Sequence, residues 1–217
     1  MGRATLTGVS SPVSPSQALE PAANKPKLWM DAASCGASRA LSFVVFPAGP
    51  SDAEDLARVH VASWRETYRG LLADAFLARM SEPGFARRFR RTLTDPGASV
   101  TLAAADRYGL VGYAQGGPSR RATPGEAEVA TLYVLRQAQG RGLGARLMTE
   151  TARALAAQGA MSLMISVLRD NVRARGFYEH LGGVAEPARQ EPGPGGRLLY
   201  EVAYRWADIG KLTIPPL

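Results

Sequence analysis

The glycine-rich segment within residues 129–145 is the part of the sequence whose residue types point most directly to chemistry. A β-rich run ends, four residues follow, and Gly140, Gly142 and Gly144 then open a helical pattern. Glycines at such a turn let several backbone N–H groups point at one ligand without interference from Cβ atoms. The start of the following helix adds unpaired amides and the positive end of the helix dipole. The segment therefore predicts a binding site for a pyrophosphate.

Two classes of cofactor carry a pyrophosphate and are compatible with this turn. One is a dinucleotide, because Gly140-x-Gly142-x-x-Ala145 matches the Rossmann pattern. That pattern normally follows its strand directly and begins a long series of βα units. Here residues 136–139 intervene and only 72 residues remain after the pattern. The other class is coenzyme A and its acyl derivatives.

A second motif, one predicted strand later, favours coenzyme A. It contains Asn171, Ala174 and Tyr178, followed by Gly182. Together with residues 139–144 (QGRGLG), it resembles the GNAT superfamily of acyl-CoA N-acyltransferases. The signatures of that superfamily are [Arg/Gln]-x-x-Gly-x-[Gly/Ala] and Asn-x-x-Ala-x-x-x-Tyr-x-x-x-Gly. The resemblance covers about Phe43 to Trp206, and the two motifs together are far more specific than either alone.

The resemblance implies a single mixed α/β domain whose mostly antiparallel sheet is flanked by helices. In that fold the fourth and fifth strands splay apart around acetyl-CoA, the acyl donor, and no metal is needed. Asn171 resembles the family residue that contacts pantetheine, and Tyr178 resembles its general acid. The cofactor-binding residues that the resemblance adds are Leu132, Tyr133 and Val134, through their backbone, and Gln139, Gly140, Arg141, Gly142, Leu143, Gly144 and Ala145.

The physical chemistry of these residue types agrees with such a transfer. Asn171 and Tyr178 are seven residues apart, two turns of helix, so both can face one ligand. An amine that attacks a thioester produces an oxyanion, which a backbone N–H on a bulged strand would stabilise. The leaving thiolate needs a proton, and a phenol, with an ordinary pKa of about 10, is protonated at neutral pH.

The amine acceptor must be neutral to attack, so some group must take its proton. Glu128 lies on the right strand for this base, and a chain of water molecules is the alternative. In the resembled family the first two helices select the acceptor. Trp64 and Tyr68 lie four residues apart there, which suggests the wall of a substrate pocket.

Each of these residues also has a purely structural interpretation. The glycines would serve an ordinary strand-to-helix turn, Tyr178 would be a core aromatic, and Asn171 would be a helix N-cap. Glu128 would be a paired strand carboxylate, and Trp64 a core residue at helical spacing.

Composition excludes several other classes of protein. The single cysteine, Cys35, rules out a disulfide framework, and two histidines, His60 and His180, leave no zinc cluster. No apolar run approaches the ~20 residues that span a bilayer. Residues 1–30 lack the apolar core of a secretory signal, so we expect a cytoplasmic protein without a membrane partner.

The net charge of +7 is concentrated, because residues 131–175 alone carry an excess of +5. Such a field attracts a polyanion, either a nucleic acid or a phosphorylated small molecule. The charge alone does not decide between the two. A second basic group, Arg87, Arg88, Arg90 and Arg91, is interpreted as a solvated helix face and not as a nucleic-acid stripe, since it lacks interleaved aromatic residues, and we expect no nucleic-acid partner.

The chain divides into two parts. Residues 1–40 are rich in Ser, Pro, Ala and Gly without periodicity, which predicts a disordered extension with Met30 as an alternative start. Residues 41–217 predict the acetyltransferase domain. Its pattern reads β-α-α-β-β-β-α-β-α-β, and Ser51 with Glu54 predicts a capping box at the first helix.

One departure from the family concerns packing. Gly183 stands where an aromatic residue commonly follows Gly182, so we expect looser packing there.

The sequence therefore predicts an N-acetyltransferase that moves an acetyl group from acetyl-CoA to a primary amine of a small molecule or peptide by direct attack. A non-catalytic acyl-CoA-binding module and a basic nucleic-acid-binding protein are the alternatives. The resemblance also allows a homodimer.

Overall fold

The structure is a computed structural model that describes residues 43–121, 123–193 and 197–212. All of these residues belong to one compact unit of the chain. The predicted extension, residues 1–40, lies outside the described ranges. None of the helices in these ranges is long and apolar enough to cross a membrane.

A single mixed sheet forms the centre of the fold, in the order β1-β2-β3-β4-β5-β8-β6, with β7 also paired to β8. Every pairing is antiparallel except that of β4 with β5. The predicted fold class is therefore confirmed. The strands are β1 (Val44–Pro47), β2 (Val100–Asp106), β3 (Gly109–Pro118), β4 (Glu126–Val134), β5 (Ser162–Leu168), β6 (Val184–Ala185), β7 (Arg189–Pro192) and β8 (Leu198–Trp206).

Helices cover both faces of this sheet. Along β2 the side chains alternate, so that Ala103 packs with α1 and α3 while Leu102 and Ala104 pack with α4. Burial on both faces explains why β2 to β5 are almost continuously apolar. The helices are α1 (Ala53–Tyr68), α2 (Asp74–Ala78), α3 (Glu82–Thr94), α4 (Leu143–Ala157) and α5 (Val172–His180).

The observed elements differ from the predicted ones at a few places. The predicted capping box at Ser51 is wrong, because a short 3-10 turn occupies Pro50–Asp52 and α1 begins at Ala53. The carboxylate of Asp52 instead accepts a hydrogen bond of 3.0 Å from the backbone of Gly49. Strands β6 and β7 were not predicted, since they are short and largely exposed and therefore show no apolar alternation.

The loose packing expected around Gly183 is also wrong. A Cβ atom at Gly183 would lie 2.8 Å from the ring of Trp206, which is itself buried. The indole of Trp206 donates a hydrogen bond of 2.8 Å to the carbonyl of Leu181. The tryptophan of β8 thus fills the space that the family's aromatic residue would occupy.

His60 lies on the inner face of α1 and is buried among aromatic rings. Its Nδ1 shares a hydrogen bond with the hydroxyl of Tyr113, and its ring centroid lies 4.3 Å from that of Phe85. Burial, and secondly the positive charge of Arg88, lower the pKa of His60 from 6.5 to about 4. The imidazole is therefore neutral at physiological pH, as a packed helix residue requires.

The pKa of His60 predicts a specific loss of stability in mild acid. Because the folded pKa lies below the ordinary value, protonation favours the unfolded chain. The stabilisation that comes from keeping His60 neutral in the folded protein is fully present above pH ~6.5. It is lost as the pH falls toward 4, by up to about 3 kcal/mol. Urea unfolding between pH 7 and 4.5 should show a shallower pH dependence for His60→Gln than for the wild type. The exposed His180 supplies the control, since His180→Gln should follow the wild type, and parallel curves for all three proteins would contradict this account.

Candidate active site

The parallel pairing of β4 with β5 is short, and a gap opens where it ends. Only Glu126–Glu128 of β4 are paired with Ser162–Met164 of β5. Just beyond this point β4 contains a bulge, because consecutive residues Gln115 and Gly116 of β3 lie opposite Thr131 and Val129. The extra residue, Ala130, increases the local twist and helps the two strands diverge. The splayed strands that the family resemblance implied are therefore present.

A cavity of about 250 Å³ occupies the gap between the strands. It extends from the glycine turn before α4 to the carboxyl end of α1 and is closed on one side by α5. Most of the residues predicted for the site line it. These are Tyr68, Leu132, Tyr133, Val134, Gln139, Gly140, Gly142, Leu143, Gly144, Asn171 and Tyr178.

Four predicted residues are not among those that line the cavity. Arg141 is exposed on the turn, and Ala145, in the first turn of α4, is buried in the core. Trp64 packs behind Tyr68, with ring centroids 4.8 Å apart in a T-shaped arrangement. Glu128 lies where β4 and β5 are still paired.

Sequence reasoning missed other lining residues. The lining residues on β5 and α5 can be identified only once β4 and β5 are known to diverge. Their nearness to Asn171 in the sequence was nevertheless a signal that could have predicted them. The missed residues are Thr67, Ala130, Thr131, Ile165, Ser166, Val167, Arg173, Ala174 and Phe177.

The glycine turn has the backbone that a pyrophosphate cradle requires. Gly140 and Gly142 have φ angles of +72° and +74°, which L-residues with a side chain rarely adopt. A Cβ atom at Gly140 would meet nothing within 4 Å, whereas one at Gly144 would lie 3.3 Å from the ring of Phe177. The first amides of the 15-residue α4 have no partner within the helix and line this end of the cavity. The turn therefore fits a phosphate group bound by backbone N–H donors.

Much of the positive charge near the turn is engaged in local contacts. The Arg146 guanidinium donates to the carbonyl of Phe43 at 3.0 Å, and Arg175 donates to the Tyr204 hydroxyl at 3.1 Å. Arg153 pairs with Glu150 at 3.0 Å. These contacts disperse the excess charge of residues 131–175 instead of aligning it as a stripe, while Arg173 lines the cavity itself.

Tyr178 projects from α5 into the cavity and is 6% exposed. Its ring packs against Phe177 and Tyr204, with centroid distances of 5.2 and 5.7 Å. Within the described parts of the chain its hydroxyl has no hydrogen-bond partner, and the residue lines the cavity. Burial, and secondly the nearby phenol of Tyr68, raise the pKa of Tyr178. The hydroxyl therefore stays protonated and is free to donate to a bound ligand.

Asn171 caps α5 and also lines the cavity. Its Oδ1 accepts a hydrogen bond of 3.2 Å from the backbone of Ala174. Its place among the lining residues is compatible with contact to a ligand, which stays a prediction.

Two further phenols form the wall on the α1 side. The hydroxyls of Tyr68 and Tyr133 lie 3.3 Å apart and share a hydrogen bond. Burial raises the pKa of both, and the electrostatic influence of Tyr178 reaches Tyr133. Three protonated phenols, from α1, β4 and α5, therefore converge on the gap.

Glu128 is a buried carboxylate held by Arg120. The backbone N–H of Arg120 donates to it at 3.2 Å, and the guanidinium donates through Nε at 3.0 Å and through a second nitrogen. Burial by itself would raise the pKa of Glu128, but the hydrogen bonds and the charge of Arg120 outweigh it and lower the pKa. Its role as the base remains a prediction, and this environment weakens its affinity for a proton.

Metal ligation finds no support in the described residues, where no three His, Cys, Asp or Glu side chains come together. The polar groups of the residues that line the cavity are backbone amides, hydroxyls, the side-chain amides of Gln139 and Asn171, and the guanidinium of Arg173.

Known proteins resemble both the sequence and the fold. A sequence model of the acetyltransferase (GNAT) family matches residues 61–183. The chain is 29% identical over 165 residues to the uncharacterized N-acetyltransferase YuaI of Bacillus subtilis, covering 74% of this chain and 91% of that protein.

Two solved structures illustrate the fold. PaiA N-acetyltransferase from Thermoplasma acidophilum, in complex with coenzyme A, superposes with a TM-score of 0.58 at 19% identity, over 76% of this chain and 100% of that one. YncA from Salmonella typhimurium, with its cofactor acetyl-CoA, superposes with a TM-score of 0.60 at 17% identity, over 77% of this chain and 95% of that one.

The ion pair of Glu128 predicts a structural cost when it is removed. Glu128→Gln should lower the free energy of unfolding at pH 7 by about 1–2 kcal/mol, because a buried charge-assisted hydrogen bond is lost. Since the folded pKa of Glu128 is lowered, its stabilisation is present above the ordinary value of 4.5 and is lost as the pH falls through the folded pKa. Urea unfolding at pH 7 and pH 3.5 should thus show a smaller difference between variant and wild type at the lower pH. Glu54→Gln, which breaks the exposed pair with Arg90, should have a much smaller effect, and an equal effect of the two variants would refute the argument.

Proposed function

The chain belongs to the GNAT acetyltransferase family, and we propose that it transfers the acetyl group of acetyl-CoA to a primary amine by direct attack of the amine on the thioester. The observation that carries this proposal is Tyr178, a mostly buried residue that lines the cavity between the splayed strands and whose hydroxyl has no partner among the described residues. The PaiA and YncA structures, which contain coenzyme A and acetyl-CoA, support the choice of donor. We assign this activity to residues 41–217.

The donor would occupy the cavity along its length. Backbone N–H groups from Gly140 to Ala145 would hold the pyrophosphate, with the exposed Arg141 and the cavity-lining Arg173 adding positive charge. Backbone groups of Leu132 to Val134 would pair with the pantetheine arm, because β4 has no partner strand on that side beyond Glu128. Asn171 would donate to the same arm from the opposite side of the gap.

The chain's own groups then perform the transfer. The bound thioester supplies an electrophilic carbonyl carbon, and the amine attacks it without a covalent enzyme intermediate. The bulge at Ala130 interrupts the regular ladder of β4 at the edge of the cavity, which makes its backbone the candidate to stabilise the oxyanion. Tyr178, kept protonated by its raised pKa, donates to the sulfur as the carbon–sulfur bond breaks.

The acceptor would approach from the α1 side of the gap. Tyr68 forms the wall there, and Trp64 supports it from behind. This arrangement divides the two residues predicted for the acceptor pocket into one that contacts the acceptor and one that positions it. Two tyrosine hydroxyls, those of Tyr68 and Tyr133, supply the polar groups of that wall.

Replacing Tyr178 by Phe should separate catalysis from binding. The variant loses only the hydroxyl, so acetyl-CoA affinity by calorimetric titration should stay within a few-fold of the wild type. Release of coenzyme A in the presence of an amine should fall by about 100-fold or more, because proton donation to the leaving group is lost. Tyr108→Phe, which removes an exposed hydroxyl far along the β2–β3 hairpin, is the matched control. Undiminished turnover by Tyr178→Phe would exclude Tyr178 as the acid, and an absence of acetyl-CoA binding by the folded wild type, with binding of NADH instead, would overturn the function.

Two glycines on either side of α4 provide a test of the phosphate cradle in which the backbone strain of the variant is matched by a control. Gly140 and Gly159 have φ angles of +72° and +95°, and a Cβ atom at either would meet nothing within 4 Å. Gly140→Ala and Gly159→Ala should each lower the free energy of unfolding by about 1 kcal/mol, since both force a left-handed alanine. Only Gly140→Ala should also weaken acetyl-CoA binding, by about tenfold or more, because only this methyl group enters the cradle. Equal acetyl-CoA affinities of the two variants would show that the turn does not hold the pyrophosphate.

A further inference from the structure

An amine acceptor is an ammonium ion in neutral water and must lose a proton before it can attack. We propose that Glu201 of β8 receives this proton, and that its carboxylate selects cationic amines at the α1 side of the gap. This inference rests on the proposed function and identifies its base and the charge of its acceptor.

The register of the sheet places Glu201 next to the cavity. Leu168 of β5 lies opposite Glu201, and Ser166 lies opposite Ala203. Ser166 and Glu201 are thus diagonal neighbours on one face of the sheet, about 7 Å apart and within reach of a long side chain. Ser166 lines the cavity, so the Glu201 carboxylate can reach the edge of the gap.

The same face of β8 meets the acceptor wall. Leu199, two residues before Glu201, packs with Leu168 into the cluster that includes Trp64 and Tyr68. Glu201 is near enough to Tyr68 for its negative charge to raise the pKa of that phenol. The carboxylate therefore lies on the side of the gap where the acceptor would enter and opposite the glycine turn.

Glu201 has the surroundings of a proton acceptor rather than of an ion-pair partner. It is half-buried, and within the described ranges it has neither a hydrogen bond nor a salt bridge. Burial and then the charge of Glu191 on β7 raise the pKa of Glu201, and Glu128 adds to this. Arg120 and Arg121 oppose the shift without reversing it.

The cations near Glu201 are committed to other carboxylates. Arg120 binds Glu128, and Arg121 lies 3.1 Å from Glu186. Arg189, which lies opposite Glu201 on β7, is 3.8 Å from Glu186 as well. The Glu201 carboxylate therefore has no ion-pair partner within the described ranges, and an ammonium group would neutralise its charge.

The proton balance of the reaction closes with this assignment. The ammonium gives one proton to the Glu201 carboxylate, and the freed lone pair forms the nitrogen–carbon bond while the carbonyl electrons move to oxygen. As the carbonyl reforms, the carbon–sulfur bond breaks and the thiolate takes the proton of Tyr178. The second proton of the nitrogen replaces that of Tyr178, and Glu201 releases its proton to water. One amide, one thiol and one free proton result from each ammonium and thioester.

Two small amines of similar size test the role of Glu201. Ethylamine is an ammonium ion at pH 7, whereas trifluoroethylamine is largely neutral and needs no base to remove a proton before attack. With saturating acetyl-CoA, Glu201→Gln should lower kcat/KM for ethylamine by about 100-fold relative to the wild type and change that for trifluoroethylamine only a few-fold. The loss with ethylamine should shrink as the pH rises, because a growing fraction of the ammonium ion then loses its proton to water before binding and needs no base on the protein.

Glu191→Gln is the matched control, since it removes a half-buried carboxylate from the neighbouring strand. It also removes a charge that raises the pKa of Glu201, but it leaves the Glu201 carboxylate in place. The ratio of the two amines should therefore stay within a few-fold of the wild type, and acetyl-CoA affinity should be the same in all three proteins. Equal losses with both amines, or undiminished turnover of ethylamine, in Glu201→Gln would overturn the role of Glu201 while leaving the acetyltransferase intact. A wild type that acetylates neither amine would instead refute the proposed function together with this role.

Discussion

The structure depends on the early end of one parallel strand pairing. β4 and β5 share only three residue pairs before the bulge at Ala130 turns β4 away. Backbone groups that would have completed the ladder are left facing a cavity, where they need a polar partner. The long, polar and flexible arm of the proposed acyl donor would satisfy this need without a dedicated set of side chains.

The two sides of the gap have different chemistry as a result. On one side, the glycine turn and the start of α4 present backbone N–H donors to an anion. On the other side, Tyr68 and Tyr133 present hydroxyls, and the proposed base Glu201 would add a carboxylate that suits a cation. In this proposal a donor and an acceptor of opposite charge would enter from different ends of the cavity and meet at the Tyr178 hydroxyl. The division of charge would then orient both substrates.

Local motifs could be predicted well because their geometry is encoded over a few residues. The turn at Gly140 and Gly142 requires positive φ angles, and Asn171 and Tyr178 share a helix face through their spacing alone. Short elements without an apolar period could not be predicted, as β6 and β7 show. The start of α1 was predicted wrongly because the side-chain hydrogen bond before the helix is made by Asp52 and not by Ser51. The Asp52 carboxylate accepts it from the backbone N–H of Gly49.

The sequence by itself determined the fold class, through the resemblance that its two motifs carry, and it determined the glycine turn and the position of Tyr178 on α5, since each motif depends on residues close together in the chain. Only the tertiary structure showed which of the carboxylates of Glu128 and Glu201 is paired among the described residues, because Arg120 reaches Glu128 across a turn while Glu201 is brought near the cavity by the register of β8. It also decided that Trp206 fills the space above Gly183. Strand register and ion pairing join residues that are distant in sequence, and no local pattern records such partners.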